Sequence, residues 1–301
     1  MLNKKIDASS LKFSTRKSCP VCGNEQYSNV IKLDYESQEI KRFLIEYYGE
    51  YFEQFTTEEL FHVVKCNLCD LMYQNCILDS KSLDYFYDHV IDANTSLEKR
   101  ECANAVVFDS LIKDAQIAIK LLNAKKPRDI SALDFGMGWG HWAVAARATG
   151  LTVSGAELSE KRIKFAQKMG VNVVNLDDCI VDQFDYINTD QVFEHLEEPF
   201  QVLFKLTQCL KVGGIIKIFV PNRTGDLLKM RLKHWSVGKD AFHPLEHINS
   251  FNSVSLNNLA EKCDLIPLRS SVLLKTGLFG FERVFKRKFF SAPSWYFRKV
   301  R

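Results

Sequence analysis

From residue 130 onward, short apolar runs alternate with amphipathic stretches, which predicts strands and helices in strict succession. Ala132–Phe135 reads as a short buried strand, His141–Thr149 as a helix, and Leu151–Leu158 as an apolar strand followed by a helix with Ser159 at its cap. Asn172–Leu176 and Phe184–Asp190 are the next strands, Phe200–Leu210 is an amphipathic helix ended at Lys211-Val-Gly-Gly214, and Ile215–Val220 reads as a fully apolar central strand. Asn252 or Ser253 caps a helix over Val254–Lys262, and Leu265–Leu274 and Phe279–Phe285 supply two last strands, predicted as an antiparallel pair. This succession predicts an α/β fold with a doubly wound, mostly parallel seven-stranded sheet. Upstream, Val106, Val107, Leu111, Ile112, Ala115, Ile119 and Leu122 recur at steps of three and four, so Leu83–Asn123 reads as helical until Pro127 forbids its continuation.

The first strand of this succession runs into Gly136-Met-Gly138-Trp139-Gly140 and then directly into a helix. Glycines let a ligand approach the main chain, and a helix start offers unpaired N–H groups, so strand, turn and helix together make a nucleotide pocket. The spacing is Gly-x-Gly-x-Gly, different from a dinucleotide fingerprint. Asp134, two residues before the first glycine, suits a cationic amino group, which favours a ligand with an amino-acid end.

Asp134-Phe-Gly-Met-Gly-Trp-Gly140 resembles the first motif of class I S-adenosylmethionine-dependent methyltransferases, and later segments extend the resemblance. Glu157 ends the second strand, where an acid accepts both ribose hydroxyls of a nucleoside. The resemblance implies that Asp177 or Asp178, after the third strand, contacts the adenine amino group, and that Asp190 and Gln191 line the pocket at the end of the fourth. Gln191-Val-Phe-Glu194-His195-Leu-Glu-Glu-Pro199 is similar to the family's fourth-strand segment; Glu194 and His195 there either orient the loop or touch the substrate.

Cys19-Pro-Val-Cys22 and Cys66-Asn-Leu-Cys69 each have the two-residue spacing that places two thiolates on one tetrahedral ion, the pattern of a structural zinc ribbon. The interval between the pairs is long, and residues 34–62, acidic and with aromatics from Phe43 to Phe55 at helical spacing, read as an insertion between the knuckles. Asp70 stands where many ribbons have glycine, and Cys76 is a poorly spaced substitute ligand. Many bacterial methyltransferases similar to this chain carry such a ribbon.

Residues 223–251 interrupt the strand–helix rhythm with Arg223, Lys229, Arg231, Lys233, His234, Trp235 and Lys239, then Leu245-Glu246-His247-Ile-Asn-Ser-Phe251. The last portion is similar to a segment of zinc-ribbon sugar methyltransferases and of quinone-type relatives, in which a Glu-His unit sits opposite the methyl donor. The resemblance offers His247 as a base oriented by Glu246, with a loop histidine bonding backbone as the alternative.

Composition narrows the picture. The chain has 301 residues, 46% of them hydrophobic and 26% charged, enough for one large core and a smaller appended unit. No apolar run reaches the length of a membrane span and the start lacks the apolar core of a signal peptide, which points to the cytoplasm and, for nine cysteines, to metal binding or buried thiols over disulfides. Residues 281–301 carry seven basic side chains against Glu282 while the whole chain is only +3, and their mixture with aromatics suits an anionic membrane surface.

The expected organisation is a ribbon unit with its insertion over 1–82, a helical linker or cap over 83–127, a methyltransferase domain over 128–285 that includes a substrate insertion at 223–251, and a basic aromatic tail over 286–301. The expected activity is methyl transfer from S-adenosylmethionine to an oxygen or carbon nucleophile of a small molecule, a phosphate-bearing sugar first, its phosphates gripped by the basic residues of 223–239, and a quinone-type acceptor next, with zinc as a structural ion. An RNA methyltransferase or RNA-binding module is the competing class; the acidic ribbon region and the absence of an Asn/Asp-Pro-Pro-Tyr/Phe motif count against it.

Overall fold

The structure is a computed structural model, and it describes residues 11–91, 97, 105–122, 125–221, 236–238, 242–268 and 294–301. The chain divides into two compact units, one made of Met1–Asn94, Glu194–Glu197 and Pro221–Ser255, the other of Thr95–Phe193, Glu198–Val220 and Leu256–Arg301.

The larger unit is built on a seven-stranded sheet in the order Leu265–Pro267, Ser294–Lys299, Leu210–Phe219, Phe184–Asp190, Ser131–Phe135, Thr152–Ala156, Asn172–Val173. All neighbours from Leu210–Phe219 to Asn172–Val173 pair in parallel, and Ser294–Lys299 runs antiparallel to both of its neighbours. This is the doubly wound, mostly parallel sheet that the strand–helix succession predicts. Ser131–Phe135 lies between Phe184–Asp190 and Thr152–Ala156, so the order reverses beside it, the place where open α/β sheets bind ligands.

Helices Ala105–Leu121, His141–Ala148, Glu160–Lys168 and Pro199–Cys209 belong to this unit. His141–Ala148 buries Trp142, Ala143, Ala145 and Ala146, and its Trp142, Ala143 and Ala146 join Ala115, Ala118, Ile130, Ala132, Tyr186 and Ile215 in one core.

Two strand expectations need correction. The central strand Leu210–Phe219 is not fully apolar: Lys217 is buried within it, and its Nζ donates to Asp114 Oδ2 at 2.7 Å. Trp142 Nε1 donates to the same oxygen at 2.8 Å. A buried ammonium without such a partner would cost several kcal/mol, so the helix Ala105–Leu121 supplies the countercharge.

The antiparallel edge is Leu265–Pro267 with Ser294–Lys299, so the last strand comes from the stretch that composition marks as a basic tail. Tyr296 and Phe297 are buried there, and Lys299 Nζ bonds Asp182 Oδ1 and Leu210 O. The predicted strand Phe279–Phe285 lies outside the described residues.

In the smaller unit a four-stranded antiparallel sheet runs Asn249–Ser250, Met72–Gln74, Leu60–Cys66, Tyr27–Asp34. Between its last two strands rise the helix Gln38–Tyr48, capped by Ser37, and the 3-10 turn Glu50–Gln54. This is the helical insertion between cysteine pairs, and its Ile40, Phe43, Leu44, Tyr48, Phe52 and Phe55 form a buried core with Phe61, Met72, Phe86 and Phe242.

The unit is discontinuous in sequence because Asn249–Ser250 pairs with Met72–Gln74, which carries the Glu246-His247 segment into the ribbon sheet, whereas its position in the chain suggests an insertion of the methyltransferase domain. No helix among the described residues is long and apolar enough to cross a membrane.

Candidate active site

The pocket at the sheet's reversal point starts from Asp134, which is 3% exposed near the end of Ser131–Phe135. Asn188 Nδ2 on the adjacent strand donates to its Oδ1 at 2.8 Å, while Oδ2 is buried without a hydrogen-bond partner. Burial pushes this carboxyl up to about 7, against the opposing pull of Asn188. A cationic ligand group beside Oδ2 would reverse that cost.

Gly136, Gly138 and Gly140 all have positive φ. Gly136 cannot be replaced cheaply, because a Cβ would meet Val192 Cγ2 at 2.5 Å, whereas a Cβ on Gly138 would project into open space, leaving room for a ligand against the main chain. Gly138 N donates to Glu157 Oε2 at 2.9 Å, and Glu157 Oε1 accepts from the amides of Leu158 and Ser159 at 2.9 and 3.1 Å. The acid ending the second strand therefore sits against the glycine turn with its carboxylate oriented by three backbone amides. Ser159 is the helix cap residue as expected, but its own hydroxyl makes no cap bond.

Among the other expected pocket residues, Trp139 is buried and packs edge-on against Phe165 at 5.1 Å. Asp177 and Asp178 are exposed in a 3-10 turn, and Asp177 is paired with Lys205. Asp190 and Gln191 are exposed at the end of the fourth strand, with Gln191 at φ 56, a strained value for a residue other than glycine. Sequence reasoning missed Asn188, Lys217 and Asp114; polar residues inside apolar strands were the available signal for the first two, whereas Asp114 lies in the helix Ala105–Leu121.

The remaining catalytic candidates lie in the smaller unit. Glu194 is 1% exposed, and His195 Nδ1 lies 3.0 Å from Tyr87 Oη and 3.1 Å from the Glu246 carbonyl. A carbonyl only accepts, so a bond to it requires the proton on Nδ1 and leaves Nε2 as the basic atom.

His243 and His247 form an isolated antiparallel bridge, closing a tight turn in which Leu245 takes φ 75. Gln74 Nε2 donates to the carbonyls of both at 2.9 Å, fixing the turn. The His247 ring lies 3.9 Å from that of His243 and 4.8 Å from that of His195.

The Glu246 carboxylate accepts from Tyr48 Oη at 2.9 Å. The carboxylate expected to orient His247 is thus bonded to the inserted helix. Glu194, His195 and His247 place one ligand atom each within 4.8 Å of one another, a donor set that can share a proton or hold a cation.

Residues 110–268 match the family described as a methyltransferase domain. The chain belongs to this methyltransferase family. A ubiquinone biosynthesis O-methyltransferase from Thiobacillus denitrificans is 30% identical over 102 residues, covering 30% of this chain and 44% of that protein, so the chain spans less than half the length of this curated relative.

A solved S-adenosylmethionine-dependent methyltransferase from Archaeoglobus fulgidus is 16% identical, with TM-score 0.41, over 62% of this chain and 92% of its own. One from Mesorhizobium loti is 15% identical, with TM-score 0.40, over 60% and 95%. The sheet described above is that of the class I methyltransferase fold, for which S-adenosylmethionine is the expected cofactor.

Outside the matched methyltransferase segment, Cys19, Cys22, Cys66 and Cys69 bring their sulfurs within 4.8 Å of one another. Cys19 Sγ is 3.5 Å from Cys69 Sγ, and Cys22 Sγ is 3.4 Å from Cys66 Sγ. Zinc–sulfur bonds of about 2.3 Å in a tetrahedron separate sulfurs by about 3.8 Å, so the donor set fits such an ion.

Each knuckle closes on a residue in the left-handed region, Gly23 at φ 77 and Asp70 at φ 65. The Asp70 carboxylate pairs with Lys65 and accepts from Asn252 Nδ2 at 2.6 Å, contacts that offset its backbone strain. Cys76 is not part of the cluster; its thiol donates to Glu59 at 3.2 Å. The basic residues expected to grip substrate phosphates, Arg223 to Lys239, lie outside the described residues.

Proposed function

We propose that this chain transfers the methyl group of S-adenosylmethionine to a hydroxyl oxygen of a small molecule. The observation that carries this reading is the glycine turn at the sheet's reversal point, with Asp134 on one side and Glu157 bonded to Gly138 on the other. When bound there, S-adenosylmethionine supplies an already activated methyl group. The Glu157 carboxylate holds the ribose hydroxyls, and Asp134 Oδ2 takes the ammonium. Because Asp177 is engaged by Lys205, Asp178 is the acid for the adenine amino group. The four cysteines hold a structural zinc, since a closed thiolate set leaves no open position for chemistry.

His247 takes the proton of the acceptor hydroxyl, within a cluster whose other imidazoles, His243 and His195, have ring centroids 3.9 and 4.8 Å from its own. Positioning and one base suffice, because the methyl is activated by the cofactor itself. Similarity to a ubiquinone biosynthesis O-methyltransferase favours a phenolic hydroxyl, while the sugar reading rests on basic residues outside the described set. A methyl-transfer screen across quinols and catechols, nucleotide sugars and RNA tests this. Labelled phenolic product supports it, and transfer to RNA alone overturns it.

A further inference from the structure

The helix between the two cysteine pairs does more than fill a core. Its last residue, Tyr48, is buried in a ring of aromatics, with ring centroids 4.8 Å from Tyr47, 5.0 Å from Phe86, 5.5 Å from Phe52 and 6.1 Å from Phe43. From that apolar seat its hydroxyl reaches a set of polar groups. It lies 2.9 Å from Glu246 Oε2, 3.1 Å from the Pro244 carbonyl and 3.4 Å from His243 Nδ1.

We propose that Tyr48 is a positioning residue of the acceptor site, holding the Glu246 carboxylate in a fixed, hydrogen-bonded place beside the histidines. The proposal rests on the role given above to the Glu246-His247 segment.

The chemistry favours this direction of bonding. A phenol has one proton to give, and a carboxylate is its strongest acceptor among the three neighbours. Burial and the neighbouring Glu246 both raise the Tyr48 hydroxyl well above its ordinary range, so it stays protonated and acts as the donor. The Tyr48 oxygen can then accept from His243 Nδ1, which would fix the tautomer of the imidazole packed on His247.

The groups that face Glu246 and its neighbours are Tyr48 and Tyr47 from the inserted helix, His243 and His247 from its own turn, Tyr87 from the segment Phe86–Val90, and Glu194 and His195 from the turn Phe193–His195. Among them, Tyr48 donates to the carboxylate itself.

Tyr48→Phe removes the hydroxyl and keeps the ring, and Tyr47→Phe, next door and exposed, is the control. In full-length protein, carbon-13 NMR of labelled glutamate, with Glu246→Gln assigning the signal, reads the titration of Glu246 with no recourse to activity. Loss of a hydrogen bond to the charged form should move that titration upward by about one pH unit in Tyr48→Phe and leave it unmoved in Tyr47→Phe. Turnover of Tyr48→Phe should fall about tenfold with S-adenosylmethionine affinity unchanged.

An unmoved Glu246 titration overturns the proposal. If instead the titration moves while Glu246→Gln and His247→Ala keep full turnover, the positioning stands and the assignment of this turn to catalysis fails.

Discussion

Asn188 and Asp134, on neighbouring parallel strands, are joined by a 2.8 Å hydrogen bond that satisfies one oxygen of a buried carboxylate and leaves the other without a partner. Burial disfavours the charged form of a carboxyl so placed, and a cation beside its second oxygen would offset that. Its pKa is raised by burial from 3.8 to about 7, so its contribution favours folding below about pH 4 and is lost as pH rises through about 7. Asp134→Asn should therefore raise the melting temperature of the ligand-free protein at pH 8, by up to about 4 kcal/mol of stability, while abolishing S-adenosylmethionine binding. Thermal denaturation at pH 5 and pH 8 checks it, because the gain should shrink to less than half at the lower pH.

The same group sets the pH dependence of cofactor affinity. Only the ionised carboxylate pairs with an ammonium, so the dissociation constant should rise as pH falls below about 7 and level off above it, approaching tenfold per unit at most. Calorimetric titrations from pH 6 to pH 8.5 would show this inflection in the wild type.

For the cysteine cluster, purified protein should carry about one zinc per chain. Cys19→Ser should lower folded yield more than it lowers the activity of what folds, because metal binding here is folding energy. Metal analysis with limited proteolysis of the 19–69 region measures both. Folded, active protein free of zinc would remove the structural ion.

His247→Ala should lower turnover by roughly 10² to 10⁴ and leave cofactor affinity intact, as expected for a base that acts on the transition state. The acid limb of the pH–rate profile should disappear with it. Near-normal turnover would make the turn His243–His247 an architectural feature, with His195 the next candidate.

Much of the larger unit is legible in the sequence because its signals are local. The glycine turn, the acid following Thr152–Ala156 and the apolar strands each need only neighbouring residues to be recognised. What escapes is long-range. Nothing near Lys217 in sequence announces Asp114 as its partner, and the bond from Tyr48 to Glu246 spans nearly two hundred residues. The basic, aromatic composition of the last strand resembles a surface-binding tail, yet Ser294 to Arg298 pair into the sheet. Chain order places the Glu246-His247 turn in the methyltransferase domain, and it gives no hint that Asn249–Ser250 pairs with Met72–Gln74.

In the proposed function, the turn Gly136–Gly140, with Asp134 and Glu157, binds S-adenosylmethionine. Isothermal titration of the wild type and of Glu157→Ala is its most direct test. The wild type should bind one equivalent, and the variant at least tenfold more weakly, since it loses charge-assisted hydrogen bonds worth about 1.5 to 3 kcal/mol. Absence of saturable binding by the folded wild type, or equal affinity in the two proteins, would contradict it.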